Sequence, residues 1–417
     1  MYQEITCSNG ARLVTQRVPG VRSAALGFFV GAGSRHERAE ENGAAHFVEH
    51  MLFKGTARRT AAQLAMDIDA IGGQVNAYTS EAYTCLYARC LDDHLDRCLD
   101  LLSDLLFHSR FAQEDVELER GVILEEVSMY EDTPDALVTD RLNGAVYKGS
   151  TLARTILGTQ STLVPMTGDF LRQWQRGHYH PGVIVAALAG SFSQAQEDRL
   201  RDCLSALEAG PPPAPAKPAL YRPAVTARKK AIEQNHLILA YPALSFLDER
   251  RDQLALLNTL LGLGCSSRLN QEAREKRGLC YNIYSYVSSH KDTGLLGIYT
   301  AVGREQELPT LETIRQVVSE LADHGPSQAE LDRAREQNRA NLLLSTEYVQ
   351  SRMSHLGTNT LLYGRVREVD ELLARLESVT REQVRELAGA LFRPEQASLS
   401  AVGRVGSVQS YAQWLGR

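Results

Sequence analysis

Hydrophobic and polar residues recur along the chain with two periods, marking short strands and amphipathic helices. Ala11-Arg12-Leu13-Val14-Thr15 and the 24–30 run flank a Pro19-Gly20 turn and read as strands. In the 42–55 run, Phe47, Val48, Met51 and Leu52 cover most of a helix, with Asn42 as its expected N-cap and Lys54-Gly55 as its expected stop. Thr60-x-x-Gln63 is a capping box that opens a helix through Leu64, Ile68 and Ile71, ended by Gly72-Gly73. Strand-like runs follow at 74–78 and 83–89. Leu95, Cys98, Leu99, Leu102, Leu105 and Leu106 then have helical spacing, and a further helix over 114–130 stops before Asp132-Thr133-Pro134.

The same punctuation occurs twice. Thr167, Pro181 and Gly190 correspond to Thr380, Pro394 and Gly403 at one common offset of 213 residues. Each set marks a capped helix, a proline turn and a buried strand, so the chain reads as two homologous halves. A Pro-rich run, semi-extended by composition, separates them. The expected organisation is a domain over 1–210, a linker over 211–219 and a second domain over 220–417. The second half carries Asp252 to Leu260 where the 42–55 helix should recur, without its His and Glu residues.

Composition narrows the function. A chain of 417 residues, 43% hydrophobic and 23% charged, is that of a globular protein with more than one core. A net charge of −6 offers no basic field for nucleic acid. The start of the chain lacks a signal-peptide pattern, and no apolar run is long enough to span a bilayer, so no membrane association is expected. Seven cysteines without a C-x-x-C pair fit reduced thiols in the cytoplasm. Asp92-Asp93 and Arg58-Arg59 read as solvated charges, His178-Tyr179-His180 as a surface turn, and Gly262-Leu263-Gly264 as a helix end.

The chemistry is concentrated in His46-Phe47-Val48-Glu49-His50. Imidazoles at i and i+4 share a helix face and can close on one Zn²⁺, with Glu49 beside the open position as base for a water. This order is the inverted form of the commoner zinc-protease motif. On the 114–130 helix, Glu119 and Glu126 share a face, with Glu125 displaced by about 100°. Glu126 is thus a candidate third ligand, and Glu119 a residue that orients a ligand imidazole.

Together, His46-Phe47-Val48-Glu49-His50 and Glu119-Arg120-Gly121-Val122-Ile123-Leu124-Glu125-Glu126-Val127 resemble the M16 family of zinc peptidases. The resemblance continues through Asp132-Thr133-Pro134 and into Ser266-Ser267-Arg268-Leu269 and the 274–281 segment of the second half. It implies that Glu126, 76 residues beyond His50, is the ligand in preference to Glu125. It also implies that Arg274 and Tyr281 form a substrate-gripping pair and that Asn76, Ala77 and Tyr78 lie on a substrate-binding strand. The implied fold is α+β, two similar halves each with an antiparallel sheet and helices on one face. Length and the single duplication resemble subfamily B, whose members close as dimeric clamshells around a chamber. The implied activity is zinc-dependent endopeptidase cleavage of extended peptides, one ion per chain, in a homodimer or with a homologous subunit. A non-catalytic peptide-binding subunit and a small-molecule hydrolase are the alternatives.

Overall fold

The computed structural model describes residues 2–210 and 216–417, so residues 211–215 of the expected linker lie outside the described residues. The chain forms two compact units, and neither is a contiguous half. One takes the chain up to Ser128, then Arg154 to Ala216 and Leu344–Arg367; the other takes Met129–Ala153, Lys217–Leu343 and Glu368–Arg417.

The first unit is built on a six-stranded sheet of β1 (Gln3–Thr6), β2 (Arg12–Arg17), β3 (Ser23–Val30), β4 (Gln74–Thr79), β5 (Thr84–Leu91) and β6 (Ile184–Gly190). Their order is β1-β2-β6-β3-β5-β4, which leaves β4 at an edge. Every pairing is antiparallel except β2 with β6. One face packs α1 (Ala44–Leu52), α2 (Ala61–Ile71), α3 (Leu95–His108) and α4 (Gln113–Asp132) around Phe28, Phe47, Met51 and Leu102. Each such side chain contributes about 1.5–3 kcal/mol on burial. The expected capping box opens α2: Thr60 Oγ1 accepts from Gln63 N–H at 3.2 Å, and Gln63 Oε1 accepts from Thr60 N–H at 2.8 Å.

β3 and β6 are apolar on both faces because a helix also covers the other side. Val349 and Met353 of the Val349–Tyr363 helix pack there on Val14, Ala25, Phe29 and Val185. Gly27 and Gly357 permit the close approach: a Cβ at Gly27 would meet the Met353 sulfur, and one at Gly357 the Phe29 ring.

The second unit repeats the plan with β7 (Val225–Lys229), β8 (Asn235–Ala243), β9 (Asn282–Ser289), β10 (Gly294–Val302) and β11 (Ser398–Gly403), in the order β7-β11-β8-β10-β9. Here β7 and β11 are the parallel pair. The Arg251–Gly262, Glu307–His324 and Arg381–Leu391 helices cover one face, and α5 (Pro134–Val146) covers the other. The repeated punctuation has a physical basis in both units. Thr167 and Thr380 cap their helices, and Pro181 and Pro394 open short 3-10 turns. Gly190 and Gly403 close their strands at φ of 120° and 138°, where a side chain would be strained.

Two surface expectations are corrected. His180 is buried, and the His178 ring stacks on Trp174 at 4.1 Å. Arg58 and Arg59 are not freely solvated. Fully buried Asp104 accepts from Arg58 Nε at 3.0 Å, Arg59 Nη1 at 2.5 Å and Thr56 Oγ1 at 2.8 Å. A buried carboxylate needs such partners, and these draw the arginines down onto α3. Asp92 is likewise half-buried and accepts from Ser191 Oγ at 2.9 Å. Gly262 does end its helix, and Gly264 takes a φ of 82°. Among the described residues, no helix is long and apolar enough to cross a membrane.

Candidate metal centre

The motif residues lie on α1, a helix of nine residues. Its N-cap is Gly43, at φ 97°, and not Asn42. Asn42 Nδ2 instead donates to Glu37 Oε2 at 3.0 Å and to the Thr155 carbonyl at 2.8 Å. The Glu37 carboxylate supplies the cap, accepting from Gly43 N–H at 3.0 Å and Ala45 N–H at 2.8 Å. At the other end, Phe53 follows the last helical residue, so Gly55 is not the stop. Lys54 places its Nζ 2.5 Å from Glu119 Oε2.

His46, His50 and Glu126 are brought together. Both Nε2 atoms lie 3.6 Å from Glu126 Oε2, and all three ligand atoms are within 4.8 Å of one another. Bonds of 2.0–2.1 Å to a tetrahedral ion put neighbouring donors about 3.3 Å apart, close to the spacing of the two pairs made with Glu126, so the donor set suits one zinc. No other group of three such side chains meets this spacing among the described residues. Glu119 Oε1 lies 2.8 Å from His50 Nδ1; accepting that N–H leaves the Nε2 lone pair for a ligand. Burial, reinforced by neighbouring His50, pulls the His46 imidazole down to about 3, so it stays neutral and able to bind metal at ordinary pH. His46 Nδ1 is buried without a hydrogen-bond partner among the described residues. Among the described residues, the His46 ring is thus positioned by its backbone, by packing and by the approach of its Nε2 to Glu126.

Glu49 lies on the same helix but turns toward β4, where Thr79 Oγ1 donates to its Oε2 at 2.6 Å. Burial pushes the Glu49 carboxyl above the usual carboxylate range, while the Thr79 bond and His50 pull it down. A raised carboxyl suits a proton acceptor working near neutral pH. Thr79 ends the strand that the sequence marks as a substrate edge, but its bond to Glu49 was not foreseen. Strand alternation would have revealed it, since Thr79 shares a face of β4 with Ala77. Glu37 and Lys54 gave no comparable signal, because Glu37 acts by a loop that folds back on α1 and Lys54 by a contact with distant Glu119.

Asn76, Ala77 and Tyr78 lie on edge strand β4. Ala77 is buried, and Asn76 and Tyr78 are exposed. In the second unit, the seven-residue spacing does join Arg274 to Tyr281, with the guanidinium 5.3 Å from the ring centroid. A six-residue π-helix, Asn270–Glu275, carries Arg274, and Gly278 turns the chain back at φ 59°. The Tyr281 side chain is 83% exposed and free to meet a ligand.

The chain is similar to known proteins over nearly its whole length. Residues 12–160 match the family model "Insulinase (Peptidase family M16)", and residues 165–338 match "Peptidase M16 inactive domain". A Bacillus subtilis protein named "Uncharacterized zinc protease YmxG" is 42% identical over 98% of this chain and 100% of its own length. A Streptomyces coelicolor protein, also named an uncharacterized zinc protease, is 39% identical over 97% of this chain and 90% of its own. Among solved structures, one titled a peptidase M16 inactive domain, from Pseudomonas fluorescens, superposes with a TM-score of 0.90. At 22% identity it covers 97% of this chain and 99% of its own, and shows the fold. The fold, both family matches and the full-length relatives together establish that this chain belongs to the M16 peptidase family.

Proposed function

We propose that this chain is a zinc-dependent endopeptidase that cuts extended, unfolded peptides. The observation carrying this reading is the convergence of His46, His50 and Glu126, with Glu49 hydrogen-bonded to edge strand β4. His46, His50 and Glu126 would hold the ion. When bound, zinc supplies a Lewis acid that polarises the scissile carbonyl and acidifies a neighbouring water. Glu49 accepts the proton from the attacking water and delivers it to the leaving nitrogen. Glu119 keeps the His50 ring oriented, and Tyr281 O–H with Arg274 donates to the oxygen on which charge develops.

The free side of β4 accepts the substrate as an added strand along Asn76, Ala77 and Tyr78. Since Thr79 ties the base to that strand, the register of the peptide decides which carbonyl faces Glu49. A folded substrate has no free backbone to offer, which restricts cleavage to unstructured segments. The chain carries both the metal set and the Arg/Tyr pair. The simplest assembly is therefore a cytoplasmic homodimer of the subfamily B type, with each site completed by the partner's Arg/Tyr half.

Glu49→Gln tests the chemistry. Zinc content should stay at the wild-type level while cleavage of an unstructured peptide falls by roughly 10²–10⁴-fold; unchanged cleavage removes Glu49 from the mechanism. The shared site has its own test. Mixing Glu49→Gln chains with Tyr281→Phe chains should restore part of the activity, and no recovery despite subunit exchange places both groups in one chain's site.

A further inference from the structure

Glu37 takes no part in the chemistry above, yet it is 3% exposed and accepts three hydrogen bonds. They come from Asn42 Nδ2, Gly43 N–H and Ala45 N–H. The two backbone donors belong to the cap and the first turn of α1, and the next residue is His46. Among the described residues, no other side chain caps that turn. Gly43 has no side chain, and Asn42 faces Glu37 itself. A Cβ at Gly43 would lie 2.8 Å from the Leu157 carbonyl oxygen, so a capping side chain does not fit there. His46 makes no hydrogen bond through Nδ1, so its ring position depends on this backbone.

We propose that Glu37 is a positioning residue for the metal centre. Its carboxylate fixes the first turn of α1 and through it the His46 imidazole opposite His50 and Glu126. The inference rests on the metallopeptidase reading above. Oε1 accepts from Ala45 N–H and Oε2 from Asn42 Nδ2 and Gly43 N–H, so the ionised carboxylate holds all three donors with charge-assisted bonds, which protonation weakens. Burial pushes the carboxyl up to about 7, against the three hydrogen bonds and Arg154, the charged group facing it. The anchor is therefore complete above neutral pH and weakens below it. Global stability moves the opposite way. A carboxyl raised on folding contributes stability present below its unfolded value, and this is lost as pH rises through 7. Zinc retention and thermal stability thus diverge with pH, whereas a merely structural residue would move both together.

The test is release of zinc from the loaded protein to a chromogenic chelator at pH 6 and pH 8, with the melting temperature of each metal-free protein. Glu37→Gln, whose amide sets N–H against N–H, should release zinc about tenfold faster at pH 8. The difference should narrow at pH 6, with a melting temperature at pH 8 equal to or above wild type. Glu37→Asp, pulled back by one methylene, should be intermediate, and it carries the comparison if the amide variant does not fold. His46→Ala is the control. If it releases zinc faster while both Glu37 variants match wild type at pH 8, the positioning role is overturned. If His46→Ala also matches wild type, the metal centre itself is wrong.

Discussion

The corner made by α1, α4 and β4 has a counterpart in the second unit, formed by the Arg251–Gly262 helix, the Gln328–Ser345 helix and β9. The scaffold is shared, but the polar atoms are used differently. In the second unit, Ser285 Oγ donates to Asn258 Oδ1 at 2.6 Å, and Asn338 Nδ2 donates to Thr259 Oγ1 at 2.8 Å. Leu254, Leu257 and Leu261 fill the remaining space. Ser285 also sits so close to Gly262 that a Cβ there would collide with its backbone nitrogen. In the first unit, two imidazoles and a carboxylate keep their ligand atoms aimed at a common point. One corner has closed its hydrogen bonds internally; the other holds them open for a guest. One scaffold thus leaves three ligand atoms facing one another at one corner and ties up the matching polar atoms at the other.

Substitutions can erase this contrast from either side. Glu126→Gln removes the anionic ligand and should lower zinc affinity by more than ~100-fold, beyond the loss typical of an outer partner. Zinc content after dialysis reads this directly, and a fully loaded variant would show that the site closes elsewhere. Glu119→Gln leaves all three ligands in place but weakens the acceptor behind His50. It should cost roughly 10–100-fold in zinc affinity, measured by chelator competition. Ser285→Ala strikes the closed corner. It strands the Asn258 side-chain oxygen in the core and should destabilise the protein by about 1–3 kcal/mol in urea unfolding. Its zinc content should not change, since Ser285 holds no ligand; a loss of zinc would mean that the two corners are coupled.

Much of this architecture was legible in the sequence because it depends on local rules. The Thr60–Gln63 box, the paired threonine caps and the two strand-closing glycines each act within a few residues and appeared where expected. His46, His50 and Glu126 were legible from helical geometry and family resemblance together. The helix cap was misread because Asn42 has the right chemistry in the right place, but a carboxylate from an upstream loop competes for the same donors. Arg58, Arg59 and His180 were misread for a related reason. The burial of His180 and the pairing of both arginines with buried Asp104 follow from what folds around them, which composition does not encode.

The Val349–Tyr363 helix comes from late in the chain, yet it covers the first sheet. While the protein is being synthesised, Phe29, Val185 and Ala187 have no native cover until that segment leaves the ribosome. A nascent chain therefore carries this apolar face uncovered from the completion of β6 until the Val349–Tyr363 helix emerges, open to chaperones or to other chains.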